Sequence, residues 1–156
     1  MSNISLDTIT GIFSSIMSWF FWLVIVFFAA MVFDYASGTL AALKTKSWTS
    51  TKAREGLFHK LGICGALVLA ILIDVVVGLA ANTVINLPFD FPGLFSPLCA
   101  VWYILTEFGS IAENLRKMGV NLPNFMIKGL ASLHDTVEKT GDSFKPPDDE
   151  KNNLTK

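Results

Sequence analysis

Charge is what this 156-residue chain is short of: only 16% of its residues are Asp, Glu, Lys or Arg, while 52% are apolar. Soluble domains carry about 25% charged residues, so an ordinary water-soluble globule is the first class excluded. Cysteine is scarce too. Cys64 and Cys99 both fall in apolar segments without C-x-x-C spacing, and read as small packed thiols, not a redox or metal pair. No Gly-rich phosphate loop, G-x-S-x-G or H-E-x-x-H occurs, which leaves nucleotide, serine-hydrolase and zinc-protease chemistry without carriers. His59 and His134 are read as exposed polar residues, not metal ligands. No catalytic residue, cofactor or metal is therefore expected. A net charge of -1 offers nothing to a nucleic acid. The opening "MSNISLDTIT" lacks the basic flank of a cleaved signal, so the first apolar segment is expected to be retained.

What is present comes in blocks. Between Thr8 and Leu43 only Asp34 is charged, between Leu61 and Phe89 only Asp74, and between Phe91 and Thr106 nothing. Crossing a bilayer takes about 20 apolar residues in a helix. The expected fold is an all-α integral membrane protein, with a three-span membrane domain over 19–120 and transmembrane helices at about 19–40, 61–82 and 94–112. Residues 1–18 precede it as an N-terminal amphipathic helix: Ile9, Ile12, Phe13, Ile16 and Met17 share one face, and Ser and Thr fill the other. The Pro-rich stretch "NLPFDFPGLFSP" makes a loop between the second and third spans. A short cytoplasmic amphipathic helix is expected over 121–140, with Phe125, Ile127, Leu130, Leu133 and Val137 as its apolar stripe. Residues 141–156, rich in charge, Pro and Asn, read as a disordered tail.

Basic residues set the orientation. Lys44, Lys46, Lys52, Arg54 and Lys60 stand between the first two spans against one acid, Glu55, and Arg116 and Lys117 follow the third. The positive-inside rule places that loop and the C-terminus in the cytoplasm and the N-terminus outside. The same basic residues are suited to anionic lipid headgroups.

Three acids sit within the spans: Asp34, Asp74 and Glu107. An intramembrane carboxylate costs about 2.5–3.5 kcal/mol on insertion scales. Asp74 stands about 20 Å along its helix from Lys60, well inside the hydrocarbon. Asp34 and Asp74 each have a glycine four residues on, Gly38 and Gly78. One reading is structural: the acids hydrogen-bond neighbouring helices and the glycines allow close approach. The other makes Asp34, Gly38, Asp74, Gly78 and Glu107 part of self-association faces or a water-filled path. No Lys or Arg is expected in the middle of any span to neutralise them.

Two stretches resemble a known family. "FDYASGTLAALKTKSWTSTKAREGLFHKLG" is similar to phage holins of the toxin-secretion/phage-lysis type (holin family 4), through Asp34, Gly38, Ser50, Gly56 and Lys60. "TEFGSIAENLRKMGVNLPNFMIKGL" resembles that family's ending, through Glu107, Ser110, Ile111, Glu113, Asn114, Met118, Gly119 and Pro123. The resemblance implies a non-enzymatic, multi-pass protein of the bacterial host's cytoplasmic membrane. Such a protein forms homo-oligomers that open lesions, depolarise the membrane and release endolysin or toxin, with no direct contact to that cargo required. Two other classes compete on the residues alone: a small ion channel, and a membrane anchor whose C-terminal helix recruits a cytoplasmic partner.

Overall fold

The computed structural model describes residues 6–81 and 93–143, with side chains from Trp19 onward. The Pro-rich loop around Pro88 and Asp90, the side chains of the N-terminal amphipathic stretch and the tail beyond residue 143 lie outside the described residues. Four helices follow in order: α1 (Leu6–Lys44), α2 (Ser50–Ala80), α3 (Phe95–Lys117) and α4 (Asn124–Asp142). Among the described residues there is no strand. Among the described residues three segments are long and apolar enough to cross a membrane: Trp19–Lys44, Ser50–Ala80 and Phe95–Lys117. The chain is an all-α, multi-pass membrane protein.

Helix α1 runs without a break from the amphipathic stretch into the apolar one, so no hinge separates the two parts expected from the sequence. It stops at a Schellman turn. The Ser47 N–H donates to the Ala42 carbonyl at 2.9 Å, that of Lys46 to Leu43 at 3.2 Å, and Lys46 takes the left-handed φ of 55° usually left to glycine. Helix α2 starts about ten residues before the hydropathy boundary, because Thr49 caps it by accepting from the Lys52 N–H at 3.3 Å. A second Schellman turn ends α3: Val120 N–H donates to Leu115 at 3.0 Å and Gly119 N–H to Arg116 at 2.8 Å, with Gly119 at φ 85°. Pro123 then serves as the N-cap of α4.

Helix α3 is the hub. It packs against α1, α2 and α4, whereas α1 and α2 barely meet. A thin core joins Phe27 and Met31 of α1, Ile63 and Leu67 of α2, and Ala100 and Ile104 of α3. Phe27 is fully buried, and Cys64 and Cys99 pack against the cluster as free thiols. Most large apolar side chains point outward, among them Phe21, Trp22, Phe33, Leu69 and Val76. Such a surface suits lipid and is untenable in water.

Helix α4 folds back antiparallel along α3. Its His134 ring lies 5.0 Å from that of Trp102, and a Cβ on Gly141 would be 3.7 Å from Leu98. The face turned inward carries Ile127, Leu130, His134, Val137 and Gly141, all half-buried, while Phe125 and Leu133 face outward. The apolar stripe expected from the sequence is thus rotated by part of a turn.

Candidate functional site

Lys60, expected in the loop before the second span, lies inside α2 and is nearly buried. Its ammonium stands 2.9 Å from Asp34 Oδ2 of α1 and also bonds Glu107 Oε2 of α3. Each of these residues lies about ten positions from the end of its helix nearest the α1–α2 turn, or about 15 Å along it. The three charges therefore meet at one level, where the α2 cation bridges two helices that each bring a carboxylate. The sequence reading left the acids without a basic partner; the geometry overturns that. The signal was present in the cap at Thr49, which carries "STKAREGLFHK" into the helix and Lys60 a further ten residues along it.

Asn114 completes the cluster. Its Nδ2 donates to Asp34 Oδ1 at 3.1 Å and to Ser37 Oγ at 3.2 Å, while Ser37 Oγ donates to the Asp34 carbonyl at 3.1 Å. Gly38 lies against this amide: a Cβ there would sit 3.4 Å from Asn114 Nδ2, in van der Waals contact. No buried side-chain N or O among the described residues lacks a partner, so the polar interior is satisfied within one chain. Breaking a buried pair by removing one member costs about 3–5 kcal/mol, because the remaining charge is stranded in low dielectric.

Asp74 answers a different need. The first N–H groups of α3 have no acceptor of their own, and Leu94 supplies no side-chain cap. The Asp74 carboxylate reaches across from α2 and accepts from Leu94 N–H at 3.0 Å, Phe95 N–H at 2.9 Å, and both Ser96 N–H and Ser96 Oγ at 2.7 Å. A negative charge at a helix N-terminus is also favoured by the helix dipole. Gly93, at φ 78°, turns the chain beneath it, and a Cβ there would come 3.2 Å from Asp74 Oδ2. Gly78 differs from Gly38: a Cβ on it would meet nothing within 4 Å among the described residues.

A cleft of about 200 Å³ opens between the end of α1 and the start of α2. Thr39, Thr49, Lys52 and Gly56 line it, and Asp34 and Lys60 are its members furthest from the connecting turn. It leads from the basic α1–α2 turn, with Lys44, Lys46, Lys52 and Arg54, to the charge cluster.

The remaining motif residues have placements too. Lys44 Nζ donates to the Met118 carbonyl, clamping the end of α1 onto the turn after α3. Glu113 pairs on the surface with Lys117 at 4.0 Å, and Ser110 is half-buried on α3. His134 shares the interface with Thr106 Oγ1, 3.3 Å from its Nε2, and its Nδ1 is 3.8 Å from Glu138 Oε2. His134 is thus half-buried, not the exposed polar residue expected from the sequence, and Glu138, four residues on, gives it a carboxylate neighbour where none was expected. With Asp135 these residues are close enough to share an ion, but Asp135 and Glu138 are solvent-exposed, a common arrangement without one.

No solved structure matches the chain. It is 28% identical over 102 residues to an uncharacterized protein of Clostridium perfringens (strain 13 / Type A), covering 65% of this chain and 67% of that one. The sequence model of the bacteriophage holin family matches residues 11–135, a stretch that takes in the charge cluster, the capping Asp74 and the turn at Gly119. The chain belongs to the bacteriophage holin family.

Proposed function

We propose that the protein acts as a holin: it accumulates in the bacterial cytoplasmic membrane, associates with copies of itself and opens a lesion. The lesion depolarises the membrane and lets a cytoplasmic endolysin, or a toxin, pass without contacting it directly. The observation that carries this reading is the polar interior of an otherwise lipid-facing bundle. Asp34, Lys60, Glu107, Ser37 and Asn114 are stored in paired form inside one chain. A protein that must first live in lipid and later border water needs such groups: paired, they are tolerated in low dielectric; separated, they are readily hydrated. The thin α1–α2 contact and the cleft between these helices supply the route for water. Self-association would use the outward apolar faces and the open Gly78. In this reading the basic α1–α2 turn and the end of α3 face the cytoplasm and the N-terminus faces outward, and the protein has no enzymatic activity.

The test is inducible expression in a bacterium, with and without an endolysin that lacks a secretion signal, following turbidity and membrane potential together. Abrupt depolarisation, with lysis only when endolysin is present, is the expected result. Normal growth and potential at confirmed membrane levels would overturn the proposal and favour a membrane anchor. Stable, ion-selective current without protein passage would favour a channel.

A further inference from the structure

Helix α4 is placed where its composition forbids lipid. It starts beside the turn that Lys44 clamps, at the same end of the bundle as the basic loop. From there it climbs α3 in the antiparallel sense, past Thr106 and Trp102 at His134 and up to Leu98 at Gly141. Leu98 is two residues beyond Ser96, which Asp74 holds at the far end of α3. So α4 covers most of the length of a candidate membrane span. His134 lies about 15 Å along α4 from Asn124, at roughly the depth of Glu107. The exposed side of α4 carries Lys128, Ser132, Asp135, Thr136, Glu138 and Lys139, with Phe125, Met126 and Leu133 exposed beside them.

Charges of both signs at that depth are incompatible with hydrocarbon, and among the described residues only α3 packs against α4. Within a membrane this packing is allowed only where that face meets water. We propose that α4 lines the aqueous lumen of the assembled lesion, lying along α3 with its charged face toward the opening and further copies of this chain closing the ring. The proposal rests on the holin reading. Before assembly there is no lumen, and the same amphipathic helix has the cytoplasmic membrane surface as its resting place. Docking of α4 onto α3 then accompanies the first opening, with the Asp34–Lys60–Glu107 cluster still paired; separation of that cluster follows as the lesion widens. The half-buried stripe of Ile127, Leu130, Val137 and Gly141 is the docking face, and the Thr106–His134 contact sets its register.

The experiment places cysteines by Leu98→Cys and Gly141→Cys in the full chain, in a background carrying Cys64→Ala and Cys99→Ala. A short, membrane-permeant bis-maleimide is added to growing cells before and after depolarisation, with potential read in the same culture. Intramolecular linkage is expected to rise from background to most chains when the potential collapses. Depolarisation without linkage would place α4 elsewhere and overturn the proposal while leaving the holin reading intact. Linkage at full strength in polarised cells would also overturn it, since α4 would then lie along α3 without a lumen. If induction leaves the potential intact throughout, the holin reading itself fails. A spin label introduced by Thr136→Cys in the same Cys64→Ala, Cys99→Ala background, in lesion-forming vesicles, supplies a second check. Collision with a water-soluble nickel chelate should exceed collision with oxygen, and the reverse ranking would put that face in lipid and refute the lumen role.

Discussion

Replacing Lys60 by methionine keeps an unbranched side chain, one atom shorter, and removes the one cation that two carboxylates share. Glu107 is the more deeply placed of the two, with its side chain 4% exposed against 17% for Asp34. Asp34 also keeps the Asn114 amide at 3.1 Å, whereas Lys60 is the partner on which Glu107 relies. The expected cost of Lys60→Met is therefore about 3–5 kcal/mol, the range for breaking a buried pair from one side. At 1.4 kcal/mol per decade, the lower figure is roughly a hundredfold in the folded-to-unfolded ratio. Adding Glu107→Gln removes the stranded charge, so the double variant should be more stable than Lys60→Met alone by at least about 1 kcal/mol, a coupling typical of residues in one network. Adding Asp34→Asn instead should recover less. The assay is unfolding of the purified protein from mild detergent into dodecyl sulfate, followed by tryptophan fluorescence, on the wild type, the single variants and both doubles. Strict additivity between positions 60 and 107, to within about 0.5 kcal/mol, would refute the argument, as would a larger recovery from Asp34→Asn than from Glu107→Gln.

Three further outcomes follow from the same geometry. Asp74→Leu strands the N–H groups of Leu94, Phe95 and Ser96 and should cost at least about 2 kcal/mol, the upper range for a lost cap, with Asp74→Asn milder. It should also shift the onset of lysis, and unchanged onset at equal membrane level would remove any functional role for that carboxylate. Gly38→Leu pushes against the Asn114 amide and should destabilise by about 1–3 kcal/mol, whereas Gly78→Leu should leave the isolated chain's unfolding unchanged and reduce chemical crosslinking between copies. Gly93→Ala should lose about 1–2 kcal/mol through its left-handed backbone, measured in the same unfolding assay.

Much of this was legible because lipid selects by composition. Blocks of apolar sequence about twenty residues long gave the spans, and clustered Lys and Arg marked the ends. Hydropathy could not report where a helix begins when its first turns are polar, and Lys60 was misplaced for that reason, though the Thr49 cap and the helix-forming residues after it were visible. The partners of Asp74 lie about twenty residues away across a loop, and no local pattern encodes which helix N-terminus will arrive beside which carboxylate. Asn114 was singled out only as a motif position; its pairing with Asp34 depends on the register between α1 and α3. For α4 the period was readable and the phase was not, because Phe125 and Leu133 look like core residues until the facing helix fixes which side is inward. Gly119 is likewise legible only as a motif position; its role as a helix stop rests on its φ of 85°.

The hub position of α3 also bears on how the chain is made. It is the least apolar of the three spans, and it brings a polar group to every neighbour: Asn114 to α1, Glu107 and Ser96 to α2, Thr106 to α4. Left to a bare bilayer, α3 is a poor candidate for insertion. Synthesis delivers α1 and α2 first, so Asp34, Lys60 and Asp74 are already waiting when α3 emerges. Those two earlier helices make few contacts beyond the Lys60–Asp34 pair, so the third helix enters as a guest and locks its hosts together.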